Sequence, residues 1–408
     1  MAIGLAMFML RAKASRIMPH RSSSSSSPSP SPDQPEEIEK FIWFKGYNRD
    51  KNAEWYAFDV SRNDFKFKRK KKMMTKRKKM MSRKQILEEG KRRRHKIHCR
   101  LEGSPVHHHN GDEKLGMRKL SPLLVMKGCE LESCVAFGTV IYSIGGDDCM
   151  LDRVGCYDFT CPSNDWKNAP SMMKARCTPR AVVLDGKIYV MGGVEREGWK
   201  PWDMFFDSVE VFDPRIEKWE LLPEIPSQLT THPSKFFCAA LESSKTILVG
   251  VPESNAIYVY DVMKKTWDVF PHEIDRFWVD GQPVVVGQTL YWFARKLYAY
   301  DLEKKIWFSG SIKGLETDYM IENWGNTACI PRFFHLRGEE FCLIWSENYR
   351  DTSHNLVSRC HCRCHCVKLR VSKDADLKSK EYCLNAVAKS CQSYLLDHQF
   401  CIVDALLL

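Results

Sequence analysis

The stretch Ala175 to Gly193, ARCTPRAVVLDGKIYVMGG, decides how the rest of the chain is read. Two short runs of β-branched and aromatic residues are separated by Asp-Gly, and the second run closes on Gly192-Gly193. The run VIYSIGG closes in the same way on Gly145-Gly146. Paired glycines belong where the backbone must turn through φ values that a Cβ resists.

Outward from this stretch one grammar recurs: an apolar strand, a second strand ending in aromatic-Asp, a polar turn, then a tryptophan. The copies are Tyr157-Asp158 with Trp166, Phe212-Asp213 with Trp219, Tyr260-Asp261 with Trp267, and Tyr300-Asp301 with Trp307. A further copy lies upstream, where Phe58-Asp59 is followed by Phe65 in place of tryptophan. Successive tryptophans stand 53, 48 and 40 residues apart, the length of a unit of four short antiparallel strands. The aspartate suits a turn start, since its side chain bonds backbone two residues on. The large aromatics suit the space between neighbouring sheets, because one four-stranded sheet cannot bury both faces alone.

These residues resemble the kelch signature, and the stretch from about Gly128 to Leu408 is similar to the kelch half of plant F-box/kelch-repeat proteins. The resemblance implies an all-β class and a kelch-type β-propeller. Strands Phe333 to Trp345, Cys364 to Val371 and Glu381 to Val387 assemble a sixth unit. The lone strand at Phe400 to Leu408 is left to complete the N-terminal one. Six blades are expected. The organisation expected is a disordered Ser/Pro-rich tail over 1–40, first-blade strands over 41–67, a basic disordered insertion over 68–120 and propeller blades over 121–408. Val249-Gly250 and Phe293-Ala294 stand where later units depart from the double glycine.

The formal charge of +11 is concentrated rather than spread. Between Lys66 and Arg100 there are 18 Lys or Arg against Glu88 and Glu89, so the remainder of the chain is net acidic. The cluster Lys68 to Arg94 has the character of a nuclear-import signal or a nucleic-acid contact, with a solvated loop as the bland alternative. Met73, Met74, Met80 and Met81 would also fit an amphipathic helix. Seventeen cysteines show no framework of spacings, which suits a reduced nuclear or cytoplasmic compartment. The apolar Met1 to Leu10 is too short to span a bilayer, and Arg11, Lys13 and Arg16 with the following serines leave organelle import as the alternative.

The most metal-like motif is CHCRCHC, Cys360 to Cys366. On a strand, alternation sends Cys360, Cys362, Cys364 and Cys366 to one face and His361 and His365 to the other, so buried packing is expected rather than one tetrahedral site. His107, His108 and His109 form a tract in the loop, while His232, His272, His335, His354 and His398 stand singly. The resemblance also brings in galactose oxidase, with its copper site, and plant specifier proteins, with Glu-x3-Asp-x3-His for iron. That spacing occurs nowhere in this chain. No catalytic, cofactor-binding or metal residue is assigned, and no small-molecule or membrane partner is expected.

The expected role is a non-enzymatic protein-interaction module whose loops on one propeller face contact a partner. The insertion Glu195 to Phe206, with Trp199 and Trp202, is the candidate anchor. The alternative is a nuclear nucleic-acid or chromatin binder acting through the basic loop. Within the resembled family an N-terminal F-box docks a ubiquitin-ligase adaptor. Residues 1–40 carry no Leu-Pro start and no paired amphipathic helices, so either the F-box was lost or the gene begins elsewhere.

Overall fold

The computed structural model describes residues 40–48, 52–61, 118–126, 133–146, 151–161, 165–195, 204–205, 208–226, 237–251, 256–270, 282–294, 296–315, 331–351, 359–376, 381–396, 398 and 400–408. Every regular element among them is a strand. The chain begins with β1 (Phe41–Tyr47), β2 (Ala53–Asp59) and β3 (Leu124–Met126). A second group follows as β4 (Ser133–Phe137), β5 (Val140–Ile144), β6 (Val154–Asp158) and β7 (Lys167–Ala169). The third is β8 (Arg180–Leu184), β9 (Lys187–Met191), β10 (Val209–Asp213) and β11 (Lys218–Leu222). The fourth is β12 (Phe237–Leu241), β13 (Thr246–Val251), β14 (Ala256–Asp261) and β15 (Thr266–Val269). Then come β16 (Val284–Val286), β17 (Thr289–Phe293), β18 (Leu297–Asp301) and β19 (Ile306–Gly310). The last group is β20 (Arg332–Arg337), β21 (Glu340–Asp351), β22 (Arg359–Asp376) and β23 (Glu381–Leu396), and β24 (Cys401–Leu407) ends the chain.

Within each group neighbouring strands pair antiparallel in chain order. The first sheet departs from this in the way expected: β24 pairs β1, giving the order β24-β1-β2-β3 with Phe44 opposite Ala405. The backbones of Phe41 and Leu408 exchange hydrogen bonds of 2.9 Å in both directions. Contacts between the leading strands run from β24 to β4, β8, β12, β16 and β20 and back to β24. That circuit is a closed ring of sheets, which leaves no open end sheet.

Two details differ from the sequence reading. The outer neighbour of β2 is β3, with Trp55 opposite Leu124; the strand expected at Phe65 to Lys68 lies outside the described residues. Six discrete sheets are not seen either. β16–β19 and β20–β23 belong to one ten-stranded sheet, because β23 is 16 residues long and reaches beyond its own group. Its outer edge meets Ser309 at Cys383, Ile312–Lys313 at Ala386 and Val387, and Arg118–Lys119 at Tyr394 and Leu395, all in parallel. Arg118 and Lys119, placed by the sequence reading at the end of the basic insertion, are thus strand-paired.

The core lies between sheets. Trp43 and Trp55 pack with Ile141 and Tyr157 of the next sheet, Val135 and Ile144 with Ile188 and Phe212, and Tyr189 and Val211 with Ile247 and Tyr260. Leu248 packs with Trp292 and Tyr291 with Phe341, while Cys364 and Leu396 meet Phe44 and Tyr56 to close the circle. Each sheet therefore depends on both neighbours to cover its faces, which is the physical reason that such units occur in rings.

The repeated aromatics sit in these seams. Phe212 and Trp219 stack with centroids 5.0 Å apart, and Tyr157–Trp166, Tyr260–Trp267 and Tyr300–Trp307 repeat the pairing at 5.7, 5.0 and 4.9 Å. Such pairs contribute about 0.5–1.5 kcal/mol beyond area burial. The indole N–H of Trp219 donates to Pro170 O at 2.8 Å and that of Trp267 to Pro223 O at 2.9 Å, each reaching back to the exit of the preceding sheet. The aspartates make the expected turns. Asp59, Asp158, Asp213 and Asp261 each accept the N–H two residues on, at 2.7 to 3.0 Å, and Asp301 accepts that of Lys304 at 3.0 Å.

Candidate interaction faces

Antiparallel order places the connections on two faces of the ring. First-to-second and third-to-fourth strand turns share one face, where Lys245 pairs with Asp185 at 3.0 Å and Gln288 donates to Ser243 Oγ at 3.0 Å across successive sheets. Second-to-third connections, and those from one sheet to the next, share the other.

On the second face the paired glycines do as their sequence implied. Gly145 and Gly193 hold φ of 72° and 105°. A Cβ on Gly145 would lie 2.9 Å from the Pro179 ring, and one on Gly193 would lie 3.1 Å from Arg176 Cβ, so the connecting segment can run tight against both. That segment is fixed by a buried ion pair that the sequence reading missed. Arg176 and Glu210 are both 0% exposed, with Nη2 to Oε1 at 2.8 Å. The guanidinium also donates to Gly192 O at 2.5 Å, Ser208 O at 3.0 Å and Ser208 Oγ at 2.9 Å, while Glu210 accepts the N–H groups of Met173 and Lys174. Full satisfaction by this many partners is what allows two charges to be buried together.

Above this staple, β9 and β10 are joined by the insertion. Its ends pair as a separate two-stranded ladder, Val194 opposite Phe205 and Glu195 opposite Met204. Trp199 and Trp202 lie outside the described residues. On the same face His398 Nε2 sits 2.7 Å from Glu54 Oε2, which also accepts the Tyr56 hydroxyl at 2.6 Å.

The turn face carries the cavity. A pocket of about 180 Å³ opens in the seam between the third and fourth sheets, with Tyr189, Val211 and Leu222 on one wall and Tyr260, Val262 and Met263 on the other. Asp185, Lys187, Glu220 and Lys265 stand around it.

Residues 101–383 match the family model described as FKB95, kelch-repeats domain. The chain belongs to the kelch-repeat family. It is 30% identical over 246 residues to an F-box/kelch-repeat protein of Arabidopsis thaliana, covering 59% of this chain and 57% of the relative. A second F-box/kelch-repeat protein of that plant is 29% identical over 234 residues, with 56% of each chain covered. The chain thus spans a little over half the length of these curated relatives. Among solved structures, that of YjhT aligns with a TM-score of 0.42 and 9% identity, over 67% of this chain and 99% of that one.

The cysteine run of this kelch chain alternates as its sequence implied. Cys362, Cys364 and Cys366 are buried in the seam with the first sheet, and His361 and His365 point to the opposite face. His365 stacks on Trp345 at 4.9 Å and shares a 2.9 Å hydrogen bond with Ser393 Oγ. Burial pushes the Cys362 thiol up to about 12 and that of Cys364 well above its usual value. Among the described residues no group of three or more His, Cys, Asp or Glu is placed to hold a metal ion, and no helix is long and apolar enough to cross a membrane. Eleven described cysteines carry free thiols, and Cys401 is disulfide-bonded. Of the singly placed histidines, the two that are described have separate partners: His335 bonds Gly338 O at 2.9 Å and His398 bonds Glu54. His107, His108, His109, His232, His272, His354, Cys360 and the basic segment fall outside the residues whose side chains are described.

Proposed function

We propose that this kelch chain is a partner-recognition ring, without chemistry of its own, that binds a protein through the face bearing the insertion. The observation that carries the reading is the paired base of that insertion: Val194 opposite Phe205 and Glu195 opposite Met204. Those pairs fix the base of the insertion two residues beyond Gly192, whose carbonyl Arg176 holds, and the sequence of the insertion supplies Trp199 and Trp202, a residue type that dominates interface energetics. Affinity capture with mass spectrometry, using the full chain and its Trp199→Ala/Trp202→Ala variant, tests it. Partners held by the full chain and lost from the variant support the face; unchanged capture overturns it.

The relatives' names favour a finer reading, a substrate receptor related to F-box/kelch components of ubiquitin ligases. Co-purification of a ligase adaptor with the full chain tests that role, and its absence under conditions that capture other partners removes it.

The charge density of Lys66 to Arg100 supports a second reading, in which Lys68 to Arg94 engages an import receptor or nucleic acid. Deleting Lys66 to Arg100 separates the two. Capture that survives the deletion belongs to the ring, whereas nucleic-acid affinity that falls steeply with salt and vanishes on deletion belongs to the segment. A fluorescent fusion that leaves the nucleus on the same deletion assigns import to it.

A further inference from the structure

The seam where the last sheet meets the first is strapped from outside. Arg118 and Lys119 pair in parallel with Tyr394 and Leu395 on the outer edge of β23, and Leu124–Met126 then pair with Ala53, Glu54 and Trp55 on β2. The connection between these pairings therefore crosses from one sheet to the other. It is pinned on both sides: the Leu120 N–H donates to Leu395 O at 3.0 Å and the Leu123 N–H to Trp55 O at 2.8 Å. Leu120 packs against the core of the closing seam and Leu123 against that of the next one. Ser121 and Pro122 form the crest between the pins. Ser121 is exposed, and its hydroxyl makes no hydrogen bond among the described residues.

The residues at this crest are those that a proline-directed protein kinase takes: a serine or threonine followed directly by proline, presented in extended chain. Pro122 restricts Ser121 to extended backbone. Among the described residues one other hydroxyl precedes a proline, that of Thr178. Its Oγ1 is enclosed, and its backbone is left-handed at φ 52°. The fold thus sorts two dipeptides of the same kind into one that an enzyme can reach and one that it cannot. The pins beside Ser121 are short, two residues on β23 and three on β2. Edge pairings of that length open at low cost, so the strap lifts into a kinase cleft without unfolding a sheet.

We propose that Ser121 is a phosphorylation site. The γ-phosphoryl group of ATP passes to Ser121 Oγ, the bond from that phosphorus to the β,γ-bridging oxygen breaks, and ADP and the hydroxyl proton are released. The product carries a charge of about −1.5 to −2 at pH 7. Arg118 and Lys119, both exposed, stand three and two residues before it and supply cations for charge-assisted hydrogen bonds. Because the hydroxyl takes no part in holding the strap, the modification marks the seam without opening the ring. It places a removable anionic group on the rim between the last and first sheets, whichever face holds a partner.

The test incubates the full chain, made in bacteria so that it starts unmodified, with magnesium ATP and a mitogen-activated protein kinase, and maps phosphopeptides by mass spectrometry. The Ser-Pro dipeptides at Ser27, Ser29, Ser31 and Ser104 report within the same sample that the kinase is active. Phosphate is expected at Ser121 and not at Thr178 of the folded chain, whereas a synthetic peptide of residues 172–184 is expected to take it at Thr178. Ser121→Ala is expected to lose the Ser121 phosphopeptide, and Pro122→Ala to lose most of it while still folding. Ser121→Glu is expected to unfold at the parent's temperature. The chain recovered from eukaryotic cells is expected to carry the same phosphopeptide and to lose it to phosphatase. The proposal is overturned by an unmodified Ser121 beside modified Ser27, Ser29, Ser31 or Ser104, by equal phosphate at Thr178 of the folded chain, by undiminished labelling of Pro122→Ala, or by a chain from cells that never carries phosphate at Ser121.

Discussion

Asp404 on the last strand accepts the backbone N–H of Cys134, on the first strand of the neighbouring sheet, at 2.8 Å. One carboxylate therefore ties the end of the chain to the sheet beside the one it completes. The Arg332 side chain adds a donor to Val403 O from the opposite neighbour. The ring is closed by backbone pairing within the first sheet and by side chains across both of its seams.

Asp404→Ala leaves a buried N–H without its acceptor and is expected to cost about 1–3 kcal/mol. Asp404→Asn keeps an acceptor oxygen and is expected to lose less. Removal of residues 401–408 exposes β1 as an open edge, and broadened calorimetric unfolding with faster proteolysis is expected.

Arg176→Met strands the Glu210 carboxylate at 0% exposure, and a loss of about 3–5 kcal/mol is expected from urea unfolding. Arg176→Lys is not expected to rescue it, because an ammonium cannot span Glu210, Gly192 O and Ser208 as the planar fork does.

Burial of Asp301 by itself pushes its carboxyl up. The hydrogen bond from Lys373 Nζ at 2.8 Å and that from the Lys304 N–H more than offset this and hold the carboxyl below its usual value. Above the usual carboxylate value, about 3.9, both folded and unfolded states are ionised and the stabilisation is fully present. As pH falls below that value the unfolded chain takes up the proton first, and the contribution is lost through the folded pKa. The stability gap between the parent and Asp301→Asn is expected to be widest near neutral pH and to close in acid, as measured by urea unfolding across that range.

Glu217, Lys265 and Lys305 occupy the same turn position with φ of 53°, 56° and 57°. Side chains other than asparagine or aspartate meet steric cost there. Lys305→Asn is expected to stabilise by about 0.5 kcal/mol, seen as a raised denaturation midpoint with unchanged slope.

Cys362, Cys364 and Cys366 are expected to resist thiol reagents in the folded protein and to react on unfolding, because burial holds the Cys362 and Cys364 thiols protonated, and the hydrogen bond with Cys342 together with burial does so for Cys366. Cys161 and Cys383, both exposed, are expected to react first. Labelling kinetics followed by peptide mass mapping reads both classes.

The aromatic-Asp pairs, the spaced tryptophans and the double glycines were legible because each acts locally. An aspartate caps its own turn, a tryptophan faces the aromatic on the adjacent strand, and a glycine permits its own φ. The same local rule of alternation placed Cys362, Cys364 and Cys366 on one face and His361 and His365 on the other. Closure by the last strand was legible from strand arithmetic within the resembled family. What only the tertiary structure decided are the relations between distant segments: Leu124–Met126 as the partner of β2, the three parallel additions along β23, the Arg176–Glu210 staple and the pocket shared by Tyr189 and Tyr260. Those partners lie in different units or across long connections, and no periodicity in the chain records which surface a neighbouring sheet will present. Their energy comes from desolvation and pairing in seams that exist only once the ring has closed.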